Sequence, residues 1–572
     1  MSPIYINNKK IESIYINNQS IGKVYVGDVL VFQKSSNLSI TDVEIVPIID
    51  SSSFIFTIDT TKGTGSSFNL PLREGYNYDM LVDWGDNTTS DITSWDDINK
   101  LHTYTTDGVY TITITGVCEA WYFNFEGDRS KITSVDQWGN TGFKNMESAF
   151  YGCSNLTTAN DTDGTWCSNV TNMMNMFKDC SSLTTIDVSN WNVSNVTHMG
   201  EMFRDCRLLT TLDVANWDIS NVIKIQKMFY NCQELITLDV TNWNTSKVTN
   251  TFQEGCGIFY NCYKLLDLDV SNWEVSGFTD MVDMFSGCRL LTTLDLNNWD
   301  TSNVMNMRSM FDGCFDLTTL DLSSWNVSNV TNMSDMFYWC RSLETLNLSN
   351  WNAINLEFAN NMFERCNKLT TLDISNWIIP KLLQINSIFK SCELLTTIIG
   401  IENLDVSNVT NMNSMFRDCK SLTTLDLNNW NLSSSNFDFS HMFSGCLNLT
   451  NLNISNWDTS NVRNFYNLFN NCQSLTSLNL SNWNVRLIGY QKRIYPTRLS
   501  MEGMFNGCPL NTVSYDNILI SWSQQLNNDD TKMKDIILDA PLCKYSSGAA
   551  ATAREILTST PYNWTINDGG QL

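Results

Sequence analysis

Positive charge is scarce in this chain of 572 residues. The 35 lysine and arginine residues stand against 60 aspartate and glutamate residues, which leaves a formal net charge of −25. This balance argues against nucleic acid as a partner, because phosphate backbones are bound by clustered basic residues. An anionic membrane surface is disfavoured for the same reason. Such an excess of one sign instead keeps a long particle soluble and apart from its own copies.

Metal-ligating patterns are also lacking. The chain has three histidines, His102, His198 and His441, and none of its 18 cysteines forms a C-x-x-C pair. Zinc coordination is therefore disfavoured, since zinc sites combine closely spaced cysteine and histidine ligands. We expect no metal and no other cofactor.

Long apolar runs are absent as well, since no segment approaches 18 consecutive apolar residues. We therefore expect no insertion into a membrane. The opening residues MSPIYINNKK lack a charged segment followed by an apolar stretch, and they lack a lipobox cysteine. The closing residues carry no sorting anchor. We therefore expect a chain that is not exported by a signal of its own.

What the chain does contain is a register of cysteines. Most intervals between successive members are 26 residues, a few are 27, one is 30 and the last is 36. A fixed period of this size predicts one structural unit stacked many times, which is a solenoid. The members are Cys153, Cys180, Cys206, Cys232, Cys262, Cys288, Cys314, Cys340, Cys366, Cys392, Cys419, Cys446, Cys472 and Cys508.

The rest of the unit repeats with the cysteine, and around Cys340 it reads LTTLDLSSWNVSNVTNMSDMFYWC. Each copy offers leucine, valine, tryptophan, methionine, phenylalanine and cysteine to a shared interior that no single coil could bury. Alternation over TLDL predicts a strand whose leucines face inward. The spacing of Met333, Met336 and Phe337 predicts one or two turns of helix.

The oxidation state of the cysteine register is a separate question. Stacked neighbours would fall within disulfide range by Cα distance, so geometry alone leaves disulfides open. One equivalent position per coil, beside phenylalanine and methionine, is typical of a small buried hydrophobe, and we predict a reduced ladder. The four cysteines outside the register, Cys118, Cys167, Cys256 and Cys543, show no paired spacing.

Three other segments flank the solenoid, which we place at residues 121–510. Residues 1–36 carry a ten-residue repeat (IYINNKKIES, IYINNQSIGK, VYVGDVLVFQ) that predicts a meander of short strands. This meander is either an edge sheet packed on the next domain or a segment for attachment and for assembly into a dimer or trimer. Residues 37–120 predict a β-sandwich. Residues 511–572 predict a C-terminal cap.

The β-sandwich resembles a known family. The segment VDWGDN at residues 82–87, with His102, Tyr104 and the strand GVYTI at residues 108–112, resembles the PKD family of immunoglobulin-like domains. The resemblance implies a spacer or interaction module without chemistry. We therefore predict that His102 is packed and is not a catalytic base. Asn87 stands where that family usually has glycine, which predicts a local difference in the turn.

The large repeat resembles another family. Its motif, LTTLDVSNW followed by SNVTNM and MF, resembles the BspA-like leucine-rich repeats, also called DUF285 repeats. These repeats occur in surface proteins and adhesins of bacteria, mollicutes and protists, and in phage proteins. The resemblance implies recognition of a host cell or matrix component and implies no reaction. The ten-residue repeat resembles segments at the head of phage fibre and tail-associated proteins.

These resemblances and the expected lack of an export signal predict a non-enzymatic virion protein. It would be a phage fibre, decoration or tail-associated protein, assembled in the host cytoplasm. Residues 1–36 would bind other virion proteins, and the solenoid would bind a host surface protein or glycan. One alternative is a surface adhesin of the BspA-like type, located at the cell surface, and another is a purely structural virion scaffold. An enzyme is disfavoured, because the acidic residues mostly obey the repeat and do not converge.

Two sets of residues are candidates for the recognition surface. One is an outward-facing ladder of aspartates, where like charges near 5 Å repel by about 1 kcal/mol even in water. Local hydrogen bonds, calcium held between coils or a polar recognition face would each explain the ladder. The other is the basic and aromatic insert at residues 486–500. The candidates are Asp213, Asp239, Asp269, Asp295, Asp321, Tyr490, Lys492, Arg493, Tyr495 and Arg498.

Overall fold

The computed structural model describes residues 52–160, 164–249, 255–432, 437–486, 488, 501–525 and 534–572, together with five short strands nearer the N-terminus. These strands are β1 (Tyr5–Ile6), β2 (Lys9–Lys10), β3 (Tyr15–Ile16), β4 (Lys23–Val26) and β5 (Val29–Gln33). Strand β1 pairs with β2, and β3, β4 and β5 form an antiparallel sheet in that order. The short strands predicted for residues 1–36 are confirmed, and their role in attachment stays a prediction.

The following segment forms two packed sheets. Its strands are β6 (Phe54–Asp59), β7 (Ser67–Asn69), β8 (Tyr78–Asp83), β9 (Thr89–Ile92), β10 (Leu101–Thr103) and β11 (Val109–Cys118). The order β6-β11-β8-β9 makes one sheet, and β7 pairs with β10 in the other. Phe56 and Phe68 join the two sheets, with ring centroids 5.8 Å apart. The predicted strands are present, and membership of the PKD family stays a prediction.

His102 lies in a cluster of aromatic rings in this segment. Its ring stacks on Trp84 with centroids 4.8 Å apart, and its Nε2 lies 2.8 Å from the Oδ2 atom of Asp86. The hydroxyl of Tyr104 donates to the Trp84 carbonyl at 2.9 Å. His102 is therefore a packed residue, as predicted. Asn87 adopts a left-handed φ of 67°, a conformation that asparagine tolerates better than most residues, so it serves the turn as glycine would.

The larger sheet continues into the solenoid. Strand β12 (Ile132–Gln137) pairs antiparallel with β6 and parallel with β13 (Thr158–Ala159), a strand of the first coil. The indole of Trp138 stacks on Trp166 at 4.2 Å and packs on Phe54 at 6.0 Å. Aromatic side chains of the sandwich therefore cover the first coil and shield its interior from water.

The solenoid coils stack in parallel, with strand segments directly above one another. The short strands are β14 (Thr319–Asp321), β15 (Thr345–Asn347), β16 (Thr371–Asp373), β17 (Thr397–Ile399), β18 (Thr424–Asp426), β19 (Phe437–Asp438), β20 (Asn451–Asn453) and β21 (Val462–Asn464). Pairing is parallel between β14 and β15, β16 and β17, β18 and β20, and β19 and β21. Leu320 is buried between the exposed Thr319 and Asp321, as the alternation predicts.

The helix predicted between methionine and cysteine does not form in the coils that the structure describes, and this prediction was wrong. Left-handed backbone at Asp335 (φ 60°) and Trp339 (φ 61°) prevents a helix from forming. The Phe337 N–H instead donates to the Met362 carbonyl of the next coil at 2.9 Å. Successive tight turns thus bring methionine and phenylalanine to the interior at the spacing that a helix would also give.

Identical side chains form columns inside the solenoid. The rings of Phe337 and Phe363 stack with centroids 5.6 Å apart and planes inclined by 5°. The thiol of each register cysteine from Cys180 to Cys472 donates to the phenylalanine carbonyl of the preceding coil, at 3.0–3.2 Å. All 18 cysteines are free and buried, as a reduced ladder requires, and their oxidation state stays a prediction.

The C-terminal segment covers the last coil. It contains α1 (Thr512–Gln524), β22 (Ile537–Ala540), α2 (Ala549–Thr558) and β23 (Thr565–Asp568), and β22 pairs parallel with β23. The Phe505 N–H donates to the Asp539 carbonyl at 2.9 Å, so β22 continues the stack. Within the described ranges, no helix is both long enough and apolar enough to cross a membrane.

The reduced ladder leads to a prediction about thiol reactivity. We expect a disulfide-exchange dye to label none of the 18 cysteines in the native protein and all of them after unfolding in guanidinium. Burial excludes the reagent and raises the pKa of the thiols, to about 12 for Cys262. Absorbance of the released dye counts the thiols. Rapid labelling of the native protein, or fewer thiols after unfolding without reductant, would contradict the ladder.

Two tryptophans of the solenoid form a matched pair. The indole N–H of Trp325 donates to the Leu296 carbonyl at 3.1 Å, whereas that of Trp377 is buried without an acceptor among the described residues. Trp325→Phe loses packing and a hydrogen bond, while Trp377→Phe loses packing alone. We expect Trp325→Phe to lower the free energy of unfolding by about 1 kcal/mol more than Trp377→Phe. Urea unfolding of both variants measures this difference, and equal midpoints would refute it.

Candidate functional site

The aspartate ladder lies on the outward side of the strand segment, and its carboxylates accept local hydrogen bonds. The Oδ1 atom of Asp269 accepts the backbone N–H of Ser271 at 2.9 Å. Hydrogen bonds from the Ser271 side chain and from its backbone N–H lower the pKa of Asp269. The same bond across two residues is made by Asp213, Asp239, Asp295 and Asp321. Each carboxylate therefore stabilises the turn that follows the strand. The local explanation of the ladder is confirmed, and recognition by the ladder stays a prediction.

The second candidate set lies outside the described residues. It consists of Tyr490, Lys492, Arg493, Tyr495 and Arg498 of the insert at 486–500. Their role in recognition stays a prediction.

A third surface, which the sequence analysis did not single out, varies from coil to coil. We call it the turn face, the segment from the first methionine of a coil (Met333) to the residue after its cysteine (Arg341). The strand segment repeats threonine and aspartate, but the residue after the cysteine changes in almost every coil. Its identities include Arg207, Gln233, Tyr263, Arg289, Phe315, Arg341, Asn367, Glu393, Lys420 and Leu447. Since the coils share one scaffold, such variation is typical of a surface that carries binding residues.

The residue before the cysteine is under a backbone constraint. It has a positive φ in every coil of the register. Twelve coils place glycine, asparagine, aspartate or serine there, and the two exceptions are Trp339 (φ 61°) and Arg365 (φ 65°). Left-handed backbone costs about 1–2 kcal/mol for a residue with a Cβ atom, and bulky side chains are rare in it. These two side chains are therefore retained at a cost in stability.

Trp339 and Arg365 belong to a cluster that we call the arginine–aromatic patch. Its members are Tyr260, Tyr263, Arg289, Phe315, Trp339, Arg341 and Arg365. The Arg289 guanidinium lies 3.9 Å from the ring centre of Tyr263 and 5.4 Å from that of Phe315. The Arg365 guanidinium lies 4.4 Å from the ring centre of Trp339. Such cation–π contacts contribute about 0.5–1 kcal/mol each at exposed sites and hold the guanidinium planes in place.

The arginines of the patch differ in their ionic partners. Arg341 has an Asp316 carboxylate oxygen at 4.0 Å, and Arg365 has a Glu364 oxygen at 3.8 Å. In the part of the chain that the structure describes, the side chain of Arg289 contacts two rings and forms no ion pair or hydrogen bond. Arg289 is also exposed. Its N–H donors therefore face solvent in a plane fixed by the rings.

A depression of about 290 Å³ lies beside Arg289. Tyr260, Gly287, Gly313 and Trp339 line it. A Cβ atom at Gly287 would lie 2.3 Å from the Oδ1 atom of Asn261, so this position has no room for a side chain. The depression is therefore lined by aromatic rings, by the exposed Arg289 and by polar groups such as Asn261.

Carboxyl groups adjoin the same depression. The pKa of Asp312 is raised to about 7, chiefly by burial and also by the charges of Asp335 and Asp283, while Arg308 lowers it. Burial also raises the pKa of Asp283 to about 6. The Asp312 carboxyl is therefore mostly neutral in mild acid and mostly charged in mild base. Across the described ranges, no group of three or more histidine, cysteine, aspartate or glutamate side chains is placed to hold a metal ion.

A signal for the patch was present in the sequence. Trp339 and Arg365 occupy a column that otherwise contains residues suited to turns, and the column is visible once the coils are aligned on the cysteine. The left-handed backbone that makes these residues costly is visible only in the structure. The signal is hidden when the segment is taken as helix, because a helix has no left-handed position at which these residues would stand out.

Solved structures with similarity to the chain include three bacterial proteins. A leucine-rich cell surface protein from Faecalibacterium prausnitzii is 17% identical, with a TM-score of 0.26, over 56% of this chain and 89% of that one. A leucine-rich repeat protein from Eubacterium ventriosum is 14% identical, with a TM-score of 0.24, over 72% and 91%. The functional domain of InlJ from Listeria monocytogenes, which includes a cysteine ladder, is 16% identical, with a TM-score of 0.20, over 73% and 76%.

No curated protein matches the sequence. A family described as Mycoplasma protein of unknown function, DUF285, matches residues 144–255, 253–377, 359–483 and 434–533. These overlapping matches span more than half of the chain and contain the whole cysteine register. The protein therefore belongs to the DUF285 family of BspA-like leucine-rich repeat proteins.

Proposed function

We propose that the protein is a recognition protein that binds a component of a cell or matrix surface through the arginine–aromatic patch. The observation that carries this proposal is the left-handed backbone at Trp339 and Arg365, where the other coils place small or turn-forming residues. Strain of this kind persists where the side chains serve a purpose other than stability. Tryptophan and arginine are also the residues that most often dominate binding energy at interfaces.

The solenoid supplies the rigidity that such a surface needs. Adjacent coils are joined by hydrogen bonds along the turn face, including Phe311 N–H to the Met336 carbonyl at 2.9 Å. Side chains mounted on this frame, such as Arg289 and Phe315, are oriented before a ligand arrives. Binding then loses less conformational entropy than it would on a flexible loop.

The location of this recognition is proposed in two forms. Membership of the DUF285 family supports a surface adhesin of the BspA-like type, located at the cell surface. The resemblance of residues 1–36 to the head of phage fibre proteins supports a virion protein that is attached through that segment, as a dimer or trimer. In both forms the ligand is a surface protein or glycan, and the protein acts by binding and not by catalysis.

Trp339→Asn tests the proposed site. Asparagine is tolerated in left-handed backbone and occupies this position at Asn231, Asn261 and Asn471. We expect Trp339→Asn to lose binding to cells and matrix that bind the wild-type protein, while its melting temperature stays equal or rises. Flow cytometry with the labelled full-length chain measures binding, and calorimetry measures stability.

The aspartate ladder supplies the matched control. Asn347 already occupies the ladder position, so a double Asp295→Asn and Asp321→Asn variant keeps the local hydrogen bonds. If the patch is the site, this variant binds as the wild type does. If the ladder variant loses binding and Trp339→Asn retains it, the binding site lies on the strand segment and the proposed site is wrong. No binding by any form would favour a purely structural scaffold.

Location is tested by immunogold electron microscopy on a producing culture, with antibody raised against residues 121–572. Under the adhesin form we expect gold on cell envelopes, because a surface ligand is reached from there. Gold on phage particles with none on envelopes would contradict the adhesin form and favour the virion form. Its place on the head or the tail would then separate decoration from host attachment.

A further inference from the structure

We propose that the arginine–aromatic patch binds a carboxylated saccharide, with Arg289 as the residue that holds the carboxylate. This inference rests on the proposed function, because it names the ligand class of the same site. The geometry that carries it is an exposed guanidinium fixed between two rings, beside a depression with aromatic walls.

The guanidinium of Arg289 is organised for one anion. A planar fork with parallel N–H donors matches the two oxygens of a carboxylate, and such charge-assisted pairs are stronger than neutral hydrogen bonds. Other surface arginines of this chain donate to a neighbouring carboxylate, as Arg207 does to Asp205 at 3.0 Å. Among the described residues, the Arg289 guanidinium contacts the rings of Tyr263 and Phe315 and pairs with no carboxylate. Its donors are therefore available to a ligand.

The walls of the depression suit a sugar ring. Tyr260, Phe315 and Trp339 are partly exposed, so that their ring surfaces remain accessible. A pyranose presents C–H groups along one face and hydroxyls around its rim, and the C–H face packs on an aromatic ring. Asn261 and Ser286 also line the depression and would form hydrogen bonds with the sugar hydroxyls. A volume of about 290 Å³ lies at the lower end for ligand pockets, which favours a terminal sugar over an extended chain.

A nucleic acid is disfavoured as the ligand despite the arginines. Its affinity requires many phosphate contacts, and the chain carries a net charge of −25. Arg341 and Arg365 already have carboxylates within 4.0 Å, which leaves one uncompensated cation in the patch. One cation beside aromatic rings matches one carboxylate on a sugar.

Asp312 makes the binding of an anion depend on pH. The groups that face it are Asp283 from the preceding coil, Asp335 from the following coil and Arg308 from its own. Arg289 lines the same depression. Since the pKa of Asp312 is about 7, its carboxyl is neutral in mild acid and charged in mild base. A sugar carboxylate stays ionised across this range, so repulsion by Asp312 weakens binding as the pH rises.

The test is isothermal titration calorimetry of the full-length chain with trigalacturonic acid and with 3′-sialyllactose. The two probes separate a uronic acid from a sialic acid as the source of the carboxylate. We expect at least one of them to bind, and its methyl ester to bind at least about tenfold more weakly, because the ester loses the charge-assisted pair. Lactose serves as the neutral saccharide.

Two substitutions assign the binding to Arg289. We expect Arg289→Lys to lower the affinity for the acidic saccharide by about tenfold or more, because lysine keeps the positive charge but lacks the paired N–H donors of the guanidinium. Arg207→Lys is the matched control, since Arg207 is exposed on the same face and already paired; it should leave affinity unchanged. We also expect the wild type to bind the acid more tightly in mild acid than in mild base, and Asp312→Asn to remove that dependence.

The failures of the two proposals are distinguishable. Equal affinity for acid, ester and lactose would overturn the carboxylate inference, and so would an Arg289→Lys variant that binds as the wild type does. Absence of binding to every saccharide, with cell binding that still requires Trp339, would overturn the inference in favour of a protein ligand and leave the proposed function standing. Cell binding that ignores Trp339 would overturn the proposed function itself.

Discussion

Hydrogen bonding between successive coils is the constraint on which the rest of the structure depends. Donors such as the Phe337 N–H reach the next coil at 2.9 Å, and this happens along the strand segment and the turn face alike. With coils about 4.8 Å apart, each interior side chain lies directly on its equivalent in the neighbouring coils. Side chains at equivalent positions of successive coils therefore pack best when they share a size and an orientation, as the rings of Phe337 and Phe363 do. The cysteine column shows why: its thiol is fully buried and still donates to a backbone carbonyl of the preceding coil, as Cys340 does to Phe311.

The same stacking decides what varies at the surface. The strand segment ends in a turn that needs a side-chain oxygen, so its outward position takes aspartate or asparagine in most coils, as at Asp321 and Asn347. The turn face needs left-handed backbone before each cysteine, which favours small or polar residues. Trp339 and Arg365 violate that preference next to positions that are free to vary. The residues proposed for binding therefore lie on a surface where the scaffold permits change and where an unsuitable residue lowers stability.

The sequence was sufficient for the period, the interior and the direction of the strand side chains. Those features depend on spacing, and spacing is visible in the register from Cys153 to Cys508. It was insufficient for the turn face, because the inward spacing of Met333, Met336 and Phe337 is the same for a helix and for successive left-handed turns. The left-handed backbone at Asp335 and Trp339 distinguishes the turns from a helix. The residue types at these two positions do not predict that backbone conformation. The ladder of aspartates attracted attention in the sequence because of its charge. In the structure these carboxylates accept backbone hydrogen bonds and stabilise turns.

Placing one cation on so acidic a molecule has electrostatic consequences. A net charge of −25 repels anions at long range, but ions in solution screen this repulsion beyond roughly 8 Å at physiological salt. Within that distance, the local arrangement decides whether an anion is held. Stacking between Tyr263 and Phe315 keeps the Arg289 guanidinium in place without a carboxylate, which would neutralise it. The aromatic rings therefore preserve a positive site that ion pairing would remove, and they do so on a scaffold whose overall charge discourages weak, unselective binding of anions.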